Sequence, residues 1–458
     1  MNFSASSRYA IGICTASLIF AGCGGSPAQV GVPATAQQSA GASGHPDRAA
    51  LRHLTSGTGT KFTVSGRFIY LNGKKFFVKG MAYAPTPIGT YPWDAPAKNS
   101  PLRDGNSAIW ERDLPKMRAM GVNAIRIYNV VPPKFDKDTG PISNFLDAAW
   151  NNGRDPIYVL LTIHFDASCL SAKPEHKGCA QALASQYYDM DEKYAGFPAV
   201  MGVVISNEIF KPEYLNDGAW WAKFNLVAEN AKKGFAAGKN PDKIVTTSNE
   251  DATTDDGDLA AIYYGEIHHA QVDVWGDNPY RGRTFTNLYG QIRKDTQKPV
   301  LLTEYGAPAS YHPDWTNTYH YPHDLRGVGT CKPTDPNGPK NRNAVLLPTS
   351  GNPGMDGLVD LVTNNAKIIH RGYTEDGVLS GGFYFEWTDE WWKADANNPE
   401  FTSKHVGDPV FTGHFPGCAY DHAWFGLNGI SLGGKKYVDV LTARPTIEAL
   451  KAVWATQK

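Results

Sequence analysis

The chain of 458 residues carries 44 Lys and Arg against 45 Asp and Glu, a formal charge of −1, which argues against a nucleic-acid binder with its basic excess or face. Charged residues make up 19% and aromatics 12%, with 46 Gly and 31 Pro, so a largely disordered chain is excluded and a large core with long loops is expected. No internal run of ~18 apolar residues predicts a membrane span.

Residues 1–22 read as a secretory signal: Arg8 lies near the start and an apolar run follows as far as Phe20. Phe20-Ala21-Gly22-Cys23 resembles the bacterial lipobox, where cleavage precedes a cysteine that takes a lipid, although Phe20 stands where Leu is usual. Ordinary cleavage and an uncleaved apolar start are the alternatives. Residues 23–56, rich in Gly, Ala, Ser, Gln and Pro, cannot bury a core and suit a flexible tether. The expectation is an exported bacterial lipoprotein, periplasmic or at the cell surface, attached to a membrane only through lipid on Cys23. Cys14 leaves with the signal, so Cys169, Cys179, Cys331 and Cys418 remain of the six cysteines, an even set that suggests two disulfides in an exported chain. Spacing favours Cys169–Cys179 within one loop, with Cys331–Cys418 joining two distant loops. A zinc site built from the four would lack any CxxC pair, and no metal is expected.

Residues 62–75 alternate and turn at Asn72-Gly73, which predicts a hairpin capping the bottom of the domain. Eight apolar, β-branched runs come next, at 76–83, 123–128, 157–164, 200–207, 243–248, 272–278, 299–304 and 379–387. Amphipathic stretches separate them, such as 109–120 with Asp113-Leu114-Pro115 as its start signal, and 219–237. Near-continuous apolar strands alternating with helices indicate parallel strands covered on both faces. Eight such units predict an α/β fold, a (β/α)8 TIM barrel filling one domain over 57–458. A doubly wound sheet is the alternative, but no Gly-rich phosphate turn follows the first strand, and no cofactor is expected. The stretch from Arg444 to Trp454 reads as the last helix, with Pro445 in its first turn and Leu450, Val453 and Trp454 on its apolar side.

Catalytic groups of such barrels gather at the C-terminal strand ends. Those ends hold Tyr83, Arg126, Tyr128, His164, Asp166, Asn207, Glu208, Asn278, Tyr280, Glu304, Glu386 and Trp387. Glu208 and Glu304 would face each other across the mouth. Retaining glycoside hydrolysis needs such a pair ~5–5.5 Å apart, one a protonated acid and one an ionised nucleophile. Glu386, Asp389 and Glu390 are rival carboxylates, and strand alternation turns Glu386 away if Trp387 faces the mouth. The Asp-rich segment 251–258 departs from the EF-hand pattern and reads as a solvated loop. His268 and His269 are adjacent and would point oppositely, while His312, His320 and His323 share one long loop. No Gly-x-Ser-x-Gly supports a serine hydrolase. Long loops at 305–355 and 388–436 predict a groove lined by aromatic platforms, with Trp93, Tyr311, Trp315, Tyr319 and Trp424 as candidates.

Ser206-Asn207-Glu208 and Leu302-Thr303-Glu304-Tyr305-Gly306 resemble the paired motifs of the retaining glycoside hydrolase clan with Glu at strands four and seven. Lys79-Gly80-Met81-Ala82-Tyr83, the segment from Gly121 to Asn129 and Phe385-Glu386-Trp387-Thr388-Asp389-Glu390 resemble fungal-type β-1,3-glucanosyltransferases. The segment from Val274 to Gly282, with Ala423-Trp424-Phe425-Gly426-Leu427, is similar to the catalytic barrels of glycoside hydrolase family 2. The resemblance implies that Glu208 is the general acid/base and Glu304 the nucleophile. It further implies that Asn207 holds the sugar 2-hydroxyl, that Tyr280 and Arg126 donate to Glu304, and that Trp387 floors the subsite of the distorted sugar. Tyr83, Tyr128, His164 and Trp424 complete the candidate substrate-binding set. A monomeric enzyme acting on a β-glucan-like poly- or oligosaccharide is expected. The alternatives are a catalytically silent carbohydrate-binding lipoprotein on the same barrel and an inverting enzyme.

Overall fold

The computed structural model describes residues 59–92, 102, 106–130, 133, 142–311, 345–346, 353–394, 410–411, 419–420, 422–435 and 438–457. The expected signal and tether, Cys23, Trp93, His312, Trp315, Tyr319, His320, His323 and the expected Cys331–Cys418 pair lie outside the described residues.

Phe62–Ser65, Phe68–Leu71 and Lys74–Lys75 form a small antiparallel sheet. Asn72 and Gly73 turn with φ of 50° and 80°, matching the two positive φ values of a type I′ hairpin turn. Phe62 donates its N–H to the Asp242 carbonyl at 2.8 Å, and its ring joins Ile69, Val78, Leu160, Ile244 and Phe383 in a buried cluster. All of these but Ile69, which is in the hairpin itself, begin or line the barrel strands, so the hairpin caps the barrel bottom. Lys243 secures the chain just before it, donating to the Thr60 carbonyl at 2.9 Å and the Val200 carbonyl at 2.5 Å.

Barrel strands one to four are Val78–Tyr83, Ala124–Ile127, Tyr158–Thr162 and Val200–Val204. The fifth is broken into Ile244–Thr246 and Asn249–Glu250, and strands six to eight are Trp275–Asn278, Val300–Tyr305 and Gly381–Tyr384. All pair in parallel: the lower piece of strand five with strand four, its upper piece with strand six. A bridge from Thr246 to Val274 closes the ring. At the break a Cβ on Gly276 would lie 1.9 Å from the Thr247 carbonyl oxygen, so only glycine lets strand six pass this close. The fold is the expected (β/α)8 barrel.

Helices Ser107–Met120, Ser143–Trp150, Cys179–Tyr194, Gly218–Ala237, Ala260–Ile267, Leu288–Asp295, Pro353–Thr374 and Pro445–Thr456 follow the eight strands in turn. The first corrects one expectation. Asp113-Leu114-Pro115 does not start it, because Pro115 lies inside the helix and Asp113 is buried. After strands seven and eight the chain adds two-stranded pieces, Ser310–Tyr311 with Val345–Leu346 and Asn428–Lys435 with Val438–Ala443. No helix among the described residues is long and apolar enough to cross a membrane.

Candidate active site

Side chains alternate along a strand, so one row on each strand fills the barrel and climbs toward its mouth. On strand two Ala124 belongs to the inner cluster, and Arg126 and Tyr128 continue its row. On strand three Tyr158 and Leu160 start the row that continues through Thr162 to His164, which is exposed at the mouth. On strand six Val274 is followed by Gly276 and Asn278. Strand seven breaks the rule usefully: its pairing with strand eight shifts between Leu302 and Tyr305. The irregularity lets Thr303 face Asn278 while the next residue, Glu304, also meets the mouth.

Glu304 is 5% exposed and accepts three bonds. Arg126 Nη1 donates to Oε1 at 3.1 Å, the Tyr128 hydroxyl to the same oxygen at 2.8 Å, and the Tyr280 hydroxyl to Oε2 at 2.7 Å. Burial pushes the Tyr128 hydroxyl well above its usual pKa, against the pull of Arg126, so it remains a donor. Arg126 is wholly buried, and its other terminal nitrogen donates to Asn207 Oδ1, joining the two motif segments through one guanidinium. Glu208, half-buried, accepts one bond from a neutral group, Asn278 Nδ2 at 2.8 Å. Desolvation by the surrounding protein, with the Glu304 charge second, pushes its carboxyl up to about 7. Ser248 packs its hydroxyl 3.0 Å from both Asn207 Oδ1 and Asn278 Oδ1, and Thr303 Oγ1 donates to Asn278 Oδ1 at 2.8 Å. With its oxygen so occupied, the Asn278 amide must present N–H to Glu208.

A family model described as glucanosyltransferase matches residues 55–324, more than half of the chain and including both carboxylates. The chain belongs to the glucanosyltransferase family. Among curated relatives it is 25% identical to "1,3-beta-glucanosyltransferase GAS5" of Saccharomyces cerevisiae over 51% of this chain and 46% of that protein. It is 27% identical to "1,3-beta-glucanosyltransferase gas1" of Schizosaccharomyces pombe over 47% of this chain and 37% of that one. The chain therefore spans about half the length, or less, of these relatives. Among solved structures, a family 2 β-galacturonidase from Eisenbergiella tayi superposes with a TM-score of 0.52 at 15% identity, covering 87% of this chain and 54% of that one. A Ruminococcus gnavus β-glucuronidase gives 0.52 at 11%, with the same coverage. At such identity the likeness is one of fold.

Within this glucanosyltransferase-family barrel the structure gathers Arg126, Tyr128, Asn207, Glu208, Tyr280 and Glu304, with His164 on the inward row. Tyr83 does not join them. Its row is the outward one, and its hydroxyl donates to Asp113 Oδ2 at 3.0 Å in the first helix. Trp387 and Trp424 are 1% and 4% exposed, covered where the chain folds back, with Leu427 N–H on the Glu386 carbonyl and Asn428 N–H on that of Trp387. Neither presents an open platform. Cys169 and Cys179 form the expected disulfide, their Cα atoms 5.3 Å apart.

Asp389 is held by Arg444 at 2.6 and 2.7 Å, which makes it structural. Glu386, which alternation would turn away if Trp387 faced the mouth, is buried. Burial and then Glu390 raise its pKa well above normal, and Glu304 contributes as well. Lys393 lies 3.9 Å from Glu386 and pairs with Glu390. Burial opposes the charge on Lys393, but Glu390 and Glu386 outweigh it and raise its pKa. In the 251–258 loop, Arg281 holds Asp251 at 2.5 and 2.6 Å and Lys294 pairs with Asp258. Among the described residues no cluster of three or more His, Cys, Asp or Glu could hold a metal ion. Sequence reasoning assigned no role to Asn278, Ser248, Thr303 or Lys393. The first was recoverable from its place two residues above Gly276 on the inward row.

Proposed function

We propose that this chain is a retaining β-1,3-glucan transglycosylase or hydrolase, with Glu304 as nucleophile and Glu208 as general acid/base. The observation that carries the reading is the contrast between two carboxylates at one mouth. Glu304 is gripped by a guanidinium and two hydroxyls, whereas Glu208 has one amide donor and a carboxyl raised to about 7. Environments that differ in this way assign the base-like and acid roles to a catalytic pair.

In the first step Glu304 attacks the anomeric carbon while Glu208 gives its proton to the glycosidic oxygen, and the fragment beyond the cleaved bond departs with that proton. Glu208, now ionised, takes a proton from water or from a sugar hydroxyl. The resulting nucleophile displaces Glu304 from the anomeric carbon, with net retention. Arg126 and Tyr128 share Glu304 Oε1 and Tyr280 holds Oε2, so the carboxylate is oriented before substrate arrives. Asn207, fixed by Arg126 and Ser248, is the group for the sugar 2-hydroxyl. His164 extends the polar lining on the third strand. The names of the relatives favour a β-1,3-glucan as donor and a second glucan chain as acceptor. The same reading makes the chain an exported protein, anchored by lipid on Cys23 and tethered by residues 23–56 to a monomeric barrel.

A 2-fluoro-laminarioside with an activated leaving group should trap a covalent adduct on Glu304, seen by peptide mass spectrometry. Glu304→Gln should lose turnover of every substrate, while Glu208→Ala should keep substrates that leave without protonation. A fully active Glu304→Gln protein, or products of inverted configuration, would sink the proposal.

A further inference from the structure

The backbone that presents Asn207 and Glu208 is bent against the preference of ordinary residues. Ser206 has φ of 58° and Glu208 of 50°, both left-handed. Such conformations persist only where their surroundings hold them. On the upper side, Glu208 donates its N–H to the Ser248 carbonyl at 2.8 Å. On the lower side most of the holding is done by groups outside the fourth strand. Ser206 Oγ donates to the Phe165 carbonyl at 3.0 Å and accepts the Phe165 N–H at 3.1 Å, a closed clamp onto the end of strand three. Its own N–H meets the Tyr187 hydroxyl at 3.0 Å, with the Val204 carbonyl also at 3.0 Å. That hydroxyl lies 2.8 Å from the Ile163 carbonyl and 3.1 Å from the Val204 carbonyl, so it accepts from Ser206 while donating back to the barrel strands.

Tyr187 is wholly buried in helix Cys179–Tyr194, its ring edge-on to Phe165 with centroids 6.4 Å apart. The Cys169–Cys179 disulfide ties the turn after Phe165 to the first residue of that helix. Trp220 Nε1 secures the same turn through the Ala167 carbonyl at 3.0 Å. The ends of strands three and four and the intervening helix therefore meet at one point beneath Glu208.

We propose that Ser206 and Tyr187 are positioning residues for the acid/base: they fix the left-handed turn that aims the Glu208 carboxyl at Asn278 and at the glycosidic oxygen. The inference rests on the functional reading of Glu208 given above. Neither residue touches substrate, and both act through the backbone of residues 206–208. A purely structural role would lower stability and scale all reactions together. A positioning role falls on the step that needs Glu208.

The experiment uses the full chain with Tyr187→Phe, Ser206→Ala, Ser206→Gly and Glu208→Ala. Each is assayed on a laminari-oligosaccharide and on an aryl laminarioside whose dinitrophenolate leaves without protonation. For Tyr187→Phe and Ser206→Ala, kcat/KM on the oligosaccharide should fall about 10- to 100-fold, the scale expected for a small misplacement of a reacting group. The aryl substrate should lose far less, and the alkaline limb of the oligosaccharide pH profile should move from near 7. Ser206→Gly accepts the dihedral but lacks the hydroxyl, so it should fall with Ser206→Ala. A Gly variant at full rate, equal losses on both substrates, or an unmoved limb would overturn the inference. If Tyr187→Phe does not fold by circular dichroism, the two Ser206 variants decide. Loss in Glu208→Ala with unchanged Ser206 and Tyr187 variants removes this inference alone. An unchanged Glu208→Ala removes the functional reading and the inference together.

Discussion

Two glutamates of the same chemistry differ here because of what stands around them. Arg126, Tyr128 and Tyr280 all donate to Glu304, while Glu208 meets one amide and a desolvating wall. The second environment carries a stability consequence. Burial, with the Glu304 charge second, pushes the folded Glu208 carboxyl from the ordinary 4.5 up to about 7, so between those pH values the folded chain keeps a proton that the unfolded chain has released. Stability contributed by this group is whole below pH 4.5 and is lost as pH rises through 7. Glu208→Gln, neutral at every pH, should therefore unfold at higher urea than the parent at pH 8 and at nearly the same urea at pH 5. Equal midpoints at pH 8 would show that ionising this carboxyl in place carries no penalty. The positions of the two glutamates were legible in the sequence, since Asn-Glu and Thr-Glu end apolar strands in the right order. The roles of Ser248 and Thr303 were not, because a hydrogen-bond relay across strands five, six and seven has no sequence spacing of its own.

At the level of elements, the segment after strand eight is held by charge as well as by packing. Arg444, at the entry to helix Pro445–Thr456, forks onto both oxygens of Asp389 and also reaches the Gly426 carbonyl, with 5% and 0% of the paired side chains exposed. Removing one partner of a buried pair leaves the other charge desolvated and alone, which costs about 3–5 kcal/mol. Arg444→Ala should lose that much in equilibrium urea unfolding, and a loss under about 1 kcal/mol would show that Asp389 finds other partners. Most of the strands were readable because they fall in apolar runs rich in β-branched residues, as Val200–Val204 and Val300–Tyr305 do. Tyr83 was misread because the end of a strand says nothing about its face. Counting from Val78, which belongs to the inner cluster, places residue 83 on the outward row, where Asp113 waits. Pro115 looked like a start signal because proline favours first turns. The helix tolerates it inside, with Leu114 and Met117 buried on either side of it.

For the whole molecule, the barrel has distinct ends. Its bottom is plugged by the hairpin through Phe62 and pinned by Lys243 to Thr60, and its mouth carries the carboxylates. If lipid on Cys23 is the only attachment, the anchor acts through the tether and not through the barrel. Cys23→Ala should then move the exported protein from the membrane pellet to the soluble fraction with unchanged kcat. Retention of the variant in the pellet would refute the anchor.

By itself the sequence determined the (β/α)8 architecture, the hairpin cap, the Cys169–Cys179 pairing and the two glutamates with their Arg and Tyr neighbours. These follow from local patterns: apolar runs, a turn dipeptide, short spacing and motif order. Only the tertiary structure decided which face Tyr83 takes, that Trp387 and Trp424 are covered, that strand five breaks to close the ring, and that Asp389 is a structural partner of Arg444. Each of these depends on distant segments meeting at angstrom range, where packing and desolvation set a side chain's role.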